Sequence, residues 1–121
     1  MSGIGVITSD SQQIRSCLNE ANTVFLVFAD TTPPSQNPIQ PRYDEAIEVA
    51  KNNNPAVWRT LWIKQPEQLD AELQKLLWKP DGITQAVVLS LGTGLDREVK
   101  KRYGDGELQG PFDILEAYSQ G

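Results

Sequence analysis

Thr23-Val24-Phe25-Leu26-Val27-Phe28-Ala29 is an unbroken apolar run. It is followed by Asp30-Thr31-Thr32-Pro33-Pro34-Ser35-Gln36-Asn37-Pro38-Ile39-Gln40, and then by a stretch that opens at Pro41. Apolar side chains at successive positions predict a strand buried on both faces, as happens where helices cover both sides of a sheet. The cluster of prolines, amides and hydroxyls predicts a loop. From Pro41 onward, Tyr43, Ala46, Ile47 and Ala50 recur at helical spacing, so a helix starts near that proline. Asp44, Glu45 and Glu48 form its solvated face, and the first two also suit the positive end of the helix dipole. In small α/β domains a loop at the carboxyl end of a central strand commonly carries the chemistry. This one carries no obvious catalytic group.

Upstream, Ile4-Gly5-Val6-Ile7 predicts a short first strand. Thr8-Ser9-Asp10-Ser11 offers helix caps, and Asp10 with Gln13 has the spacing of a capping box. Ile14, Cys17, Leu18 and Ala21 then follow at helical spacing, ended by Asn22. Cys17 lies on the apolar stripe, where a small unactivated thiol is a packing residue. Downstream, Asn52-Asn53-Asn54-Pro55 breaks the chain, and Val57-Trp58-Arg59-Thr60-Leu61-Trp62-Ile63 predicts the third strand. Alternation places Val57, Arg59, Leu61 and Ile63 on one face and Trp58, Thr60 and Trp62 on the other, with both indoles as core.

Pro66 suits the first turn of a third helix with the stripe Leu69, Leu73, Leu76 and Leu77, stopped by Lys79-Pro80. Asp81-Gly82 is a turn. Residues 86–91 predict a fourth strand. Gly92-Thr93-Gly94 turns it into a fifth, at about residues 97–103, whose Arg97, Lys100, Lys101 and Arg102 read as a charged, solvated sheet edge. Gly110-Pro111 opens a last helix with Phe112, Leu115 and Tyr118 inward. Gly92-Thr93-Gly94 lacks the third glycine and the following helix of a nucleotide fingerprint. Gly104-Asp105-Gly106-Glu107 has too few oxygen ligands after it for a calcium loop.

The 121 residues suit a single domain with one core. A net charge of −5 argues against non-specific binding to nucleic acid or to anionic membrane. No apolar run approaches the roughly 20 residues that span a bilayer, and the first residues lack the regions of a signal peptide. The expected location is cytoplasmic. With one cysteine and no histidine, the chain has no intramolecular disulfide, no multi-cysteine or His-based metal site and no His-dependent triad. No cofactor and no metal are expected.

The element order is βαβαβαββα: alternating elements imply parallel strands with crossover helices, and the final hairpin adds antiparallel strands. In that order and spacing the chain resembles the thioredoxin-like superfamily over nearly its whole length. Residues 25–29 resemble the family's central strand. Pro41 with Asp44-Glu45 resembles the proline and acidic pair of its active-site helix, and Ile63-Lys64-Gln65-Pro66 the end of its third strand. Residues 86–91, the glycine turn and Arg97-Glu98-Val99 resemble its terminal hairpin. The resemblance implies a three-layer α/β/α sandwich with a mixed sheet.

Carried over residue by residue, the resemblance places the redox Cys-x-x-Cys on Pro33-Pro34-Ser35-Gln36, where neither sulfur is present. The buried acid of redox-active members falls on Val27, and the cis-proline falls near Ala86. The pair lining the substrate groove falls on Tyr103-Gly104. Dithiol exchange needs an attacking thiolate and a resolving thiol, so this site cannot perform it. The resemblance then implies a redox-inactive, protein-binding or adaptor module. Its contacts are Pro33, Pro34, Ser35 and Gln36, with Gln85, Ala86 and Tyr103 opposite, and its partner is a protein. The alternative is an enzyme: Cys17 as a single-cysteine peroxidatic or glutathione-linked thiol, or Ser35 as a nucleophile. A flavodoxin-like sheet with a phosphate at residues 31–36 is a third reading, disfavoured by the terminal hairpin.

Overall fold

The computed structural model describes residues 5–20, 22–30, 39–53, 58–78, 86–104 and 107–120. Strand β1 (Gly5–Thr8) leads to helix α1 (Ser11–Leu18), β2 (Val24–Ala29), α2 (Ile39–Asn53) and β3 (Trp58–Ile63). Helix α3 (Ala71–Leu77), β4 (Ala86–Leu89), β5 (Val99–Tyr103) and α4 (Pro111–Gln120) complete the chain. The domain is thus α/β, with a mixed sheet of five strands ordered β1-β3-β2-β4-β5. Strand β3 runs parallel to both β1 and β2, whereas β4 runs antiparallel to β2 and to β5. A doubly wound flavodoxin-like sheet is parallel throughout, and β4, antiparallel to both β2 and β5, does not fit it.

All six residues of β2 are buried, and its pleat divides the core in two. Leu26 and Phe28 pack with Tyr43 and Ala46 of α2, Trp62 of β3 and Ile114, Ala117 and Tyr118 of α4. Phe25 and Val27 pack on the other side with Ile14 and Leu18 of α1 and Leu73 and Leu77 of α3. The alternation of β3 holds: Trp58 and Trp62 join the first cluster, Leu61 and Ile63 the second. Trp58 stacks on Tyr118 with ring centroids 5.0 Å apart, and the Tyr118 and Thr60 hydroxyls share a buried hydrogen bond.

The capping chemistry shifts several helix ends. Asp10 caps α1 by accepting from the Gln12 N–H, and α1 ends at Leu18 with Asn19 as its cap. Asn22 lies beyond it in the left-handed region, at φ 57°, which asparagine tolerates better than most residues. Pro66 opens only a 3₁₀ turn (Pro66–Gln68). Helix α3 starts at Ala71 because the Asp70 carboxylate accepts from the Leu73 N–H. Leu69, expected inside that helix, is buried just before it. Gly5 has no room for a side chain, since a Cβ there would lie 2.5 Å from the Ile47 Cδ1 and 2.9 Å from the Tyr43 hydroxyl oxygen.

Two expectations fail for reasons of packing. Arg97 is not on a solvated edge: it is 3 % exposed and precedes β5. Its Nε donates to the Leu18 carbonyl at 3.1 Å, and its Nη1 donates to the Ser90 carbonyl at 2.9 Å and to that of Thr23. Its Nη2 donates to the Glu20 carbonyl, and the guanidinium stands 4.8 Å from the Phe25 ring centroid. The turn that delivers it bends through Gly94, at φ +59°, and through a 3₁₀ turn (Gly94–Asp96) packed on α1. Strand β4 therefore ends at Leu89, and Leu91 is 51 % exposed. Phe112, expected inward, is 86 % exposed. Ile114, Ala117 and Tyr118 already fill the inner stripe of α4, and two residues before Ile114 the helix faces the opposite way.

Helices α1 and α3 are tied on the surface by Arg15, which pairs with Asp70 and, at 3.1 Å, with Glu72. The hydrogen bond from Arg15, and then that from the Leu73 N–H, hold the Asp70 carboxyl below its ordinary pKa. A lowered folded pKa contributes stability above the unfolded value that is lost as pH falls through the folded one. Thermal unfolding of Asp70→Asn is therefore expected to depend less on pH than wild type in the acid range. Equal slopes would refute the linkage. Arg97→Met leaves four carbonyls without their charged donor and is expected to cost about 3 kcal/mol in urea unfolding. A loss under about 1 kcal/mol would show that the contacts do not constrain the turn.

Candidate functional site

The end of the sheet where β2 finishes is set by register. Phe28 pairs with Ala86 across β2 and β4, and Ala86 pairs with Tyr103 across β4 and β5. These three residues form one row at this end of the sheet. Helix α2 enters at the same end: its first residue Ile39 is buried with Phe28, Tyr43 and Tyr103. Phe28 meets Tyr43 edge-on at 5.9 Å between ring centroids, and Tyr43 lies 5.3 Å from Trp62. This aromatic wedge of Phe28, Tyr43 and Trp62 fixes α2 on the sheet, at the cost of two buried polar atoms, the Tyr43 hydroxyl and the Trp62 Nε1, that have no hydrogen-bond partner among the described residues.

Of the residues expected to make contacts, Pro33, Pro34, Ser35, Gln36 and Gln85 lie outside the described residues. Ala86 and Tyr103 are adjacent in the sheet, 2 % and 6 % exposed. They form the floor of this end more than its surface. Val27, where the resemblance puts a buried acid, is fully buried on the other face, among Leu61, Leu73 and Leu77.

The segment after β5 rims this end. Glu107 folds back so that its carboxylate accepts from the Gly104 N–H at 2.6 Å. The Arg42 Nε of α2 donates to the Leu108 carbonyl, and Leu108 is buried with Tyr103. Asp113 accepts from the Gln109 N–H at 3.1 Å, which orders the entry to α4. Burial raises the Tyr103 phenol pKa, and Glu116, Glu107 and Asp113 raise it further. Sequence reasoning missed this acidic rim, because its members are spread over two turns and a helix. Its only sequence signal is the run of carboxylates without a cation after Arg102.

Cys17 is on α1, on the opposite side of the sheet. It is half-buried against the cluster that contains Ile14, Leu18 and Phe25. Burial raises its pKa, and Glu20 adds to the rise while Arg59 opposes it. Glu20 and Arg59 are themselves paired at 2.8 Å. Among the described residues, no group of three or more His, Cys, Asp or Glu side chains is placed to hold a metal ion, and no helix is long and apolar enough to cross a membrane. Comparison with protein-family models, with curated protein sequences and with solved structures finds no match.

A thiol with a raised pKa has less thiolate at neutral pH, and the thiolate is the nucleophile. Cys17 is therefore expected to react with iodoacetamide more slowly in the folded protein than after unfolding in urea, with the folded rate still climbing above the pH at which free cysteine levels off. A folded rate equal to or above that of free cysteine would overturn the assignment.

Proposed function

We propose that the chain is a redox-inactive domain of the thioredoxin-like kind, acting as a protein-binding or adaptor module through the loops above the Phe28, Ala86 and Tyr103 row. The sheet order β1-β3-β2-β4-β5, with β4 antiparallel to both of its neighbours β2 and β5, supports the likeness. The observation that carries the functional reading is the separation of thiol and sheet end. The one sulfur nucleophile of the chain sits across the sheet from Ala86 and Tyr103, held as a thiol by burial. Dithiol exchange needs two sulfurs in reach of one another, and thiol catalysis needs an activated one. Neither requirement is met, so the enzyme reading based on Cys17 has no structural support.

What the sheet end retains is rigidity. Its floor is buried, α2 is wedged by aromatic rings, and the sequence between β2 and α2 holds Pro33, Pro34 and Pro38. Proline lowers the ordering entropy that a loop loses on binding. The proposed contact set is Pro33, Pro34, Ser35, Gln36 and Gln85 together with Ala86 and Tyr103, and the proposed partner is a protein.

The test compares wild type with Pro34→Ala/Gln36→Ala in affinity capture from the source cell extract, together with an insulin disulfide-reduction assay. A protein retained by wild type and lost by the variant, with no reductase activity in either, is the expected result. Reductase activity, or a captured set identical for both proteins, would refute the reading.

A further inference from the structure

The last segment of the chain concentrates charge in a way the fold does not require. Of sixteen Asp and Glu residues, Asp105, Glu107, Asp113 and Glu116 follow Arg102, and no Lys or Arg does, so this segment holds four of the five net negative charges. Within it Phe112 stands out, 86 % exposed in the first turn of α4. Glu116 follows four positions later and is also exposed, so the ring and the carboxylate share one helix face. Asp113 is the next residue, and Glu107 closes the turn just upstream. The bonds Glu107 and Asp113 make to backbone N–H groups use one oxygen each. Carboxylates accept at two oxygens, so each keeps one for a further donor.

A second observation points the same way. Tyr103, 6 % exposed, lies among the same carboxylates: Glu116, Glu107 and Asp113 all act on its phenol. The Lys101 ammonium lies 5.0 Å from its ring centroid, an intramolecular example of the cation–aromatic contact proposed below. A lone exposed aromatic is ordinary on a protein surface. An exposed aromatic ring with Glu116 on its own helix face and Asp113 beside it in sequence, and with no Lys or Arg after Arg102, is complementary to one chemistry. Lys and Arg side chains lay their apolar stems on a ring and keep their heads for carboxylates.

We propose that Phe112, with Glu107, Asp113 and Glu116, forms a docking surface for a Lys/Arg-rich segment of a partner protein. This rests on the reading of the domain as a protein-binding module and names the chemistry of the partner. The basic segment packs its side-chain stems on the Phe112 ring and pairs its charges with the rim. A second copy of this chain is a poor occupant, because the same surface brings like charges together.

The test selects a random dodecapeptide library displayed on phage against the immobilised full chain. The enriched peptides are then measured on wild type, Phe112→Ser, Glu116→Gln and Pro34→Ala/Gln36→Ala. Thermal unfolding of Phe112→Ser is expected to match wild type, since the ring is exposed. Enriched peptides are expected to hold Lys or Arg in excess, to weaken at high salt, and to lose at least about tenfold in affinity on Phe112→Ser. Peptides without excess cations, or bound equally by Phe112→Ser, overturn the proposal. Peptides that fail only on Pro34→Ala/Gln36→Ala overturn it and leave the loop reading standing, whereas no enrichment overturns both. A wild-type dimer in sedimentation that Phe112→Ser dissolves would reassign the surface to self-association and overturn it too.

Discussion

A single buried guanidinium, that of Arg97, ties the end of α1 and the linker into β2 to the residue after β4 through their carbonyls. None of these acceptors is a carboxylate. The charge is compensated by peptide dipoles, and the carbonyls at the end of a helix carry part of the negative end of its dipole. The Glu20 carboxylate, as distinct from its carbonyl, acts on it through space. A buried charge without a partner is unaffordable in a small domain, so the turn between β4 and β5 has one conformation in which Arg97 can be accommodated. That turn fixes where β5 begins, and β5 fixes Tyr103 against Ala86. The geometry of the candidate site therefore depends on an interaction at the far end of the hairpin.

On the other side of β2 the organising contact is aromatic. Tyr43 lies between Phe28 and Trp62 and brings α2 close enough to β1 that Gly5 can have no side chain. The unpartnered Tyr43 hydroxyl and Trp62 Nε1 indicate that shape outweighs polar satisfaction here. Ring packing of this kind contributes about 0.5–1.5 kcal/mol per pair beyond burial, comparable to the cost of one unsatisfied group. The wedge is thus held by the large apolar area of the rings, with the polar atoms tolerated.

The legible part of the fold was its periodicity. The two-faced burial of β2, the split of Trp58, Thr60 and Trp62 from Leu61 and Ile63, and the buried faces of α1 and α2 all follow from side-chain spacing. What spacing could not show was where a long polar side chain goes. Arg97 sits among basic residues in sequence, and only the tertiary arrangement of four carbonyls makes its burial possible. Phe112 was misread for a related reason: near a helix start the inner stripe is set by which later residues fill the core, here Ile114, Ala117 and Tyr118. At the site, the adjacency of Ala86 and Tyr103 was legible from strand order, but their burial as a floor was not, because it depends on α2 and α4 packing above them.

The distribution of chemistry over the two faces bears on what such a domain can do. The α1 and α3 side holds Cys17 in a packed, thiol-stabilising environment, with its nearby charges, Glu20 and Arg59, already paired. The α2 and α4 side holds the aromatic wedge, the acidic rim and the exposed Phe112. Catalysis by general acids, bases or nucleophiles requires groups converging on one reacting atom. Recognition requires only complementary surface fixed to a rigid frame. In this domain the thiol and the sheet end diverge, and the groups that do gather at the sheet end are an aromatic ring and carboxylates bonded to backbone N–H groups. Negative charge fixed in place in this way is complementary to a cation. The physical arrangement that weakens the case for an enzyme is therefore the one that strengthens the case for a binding surface.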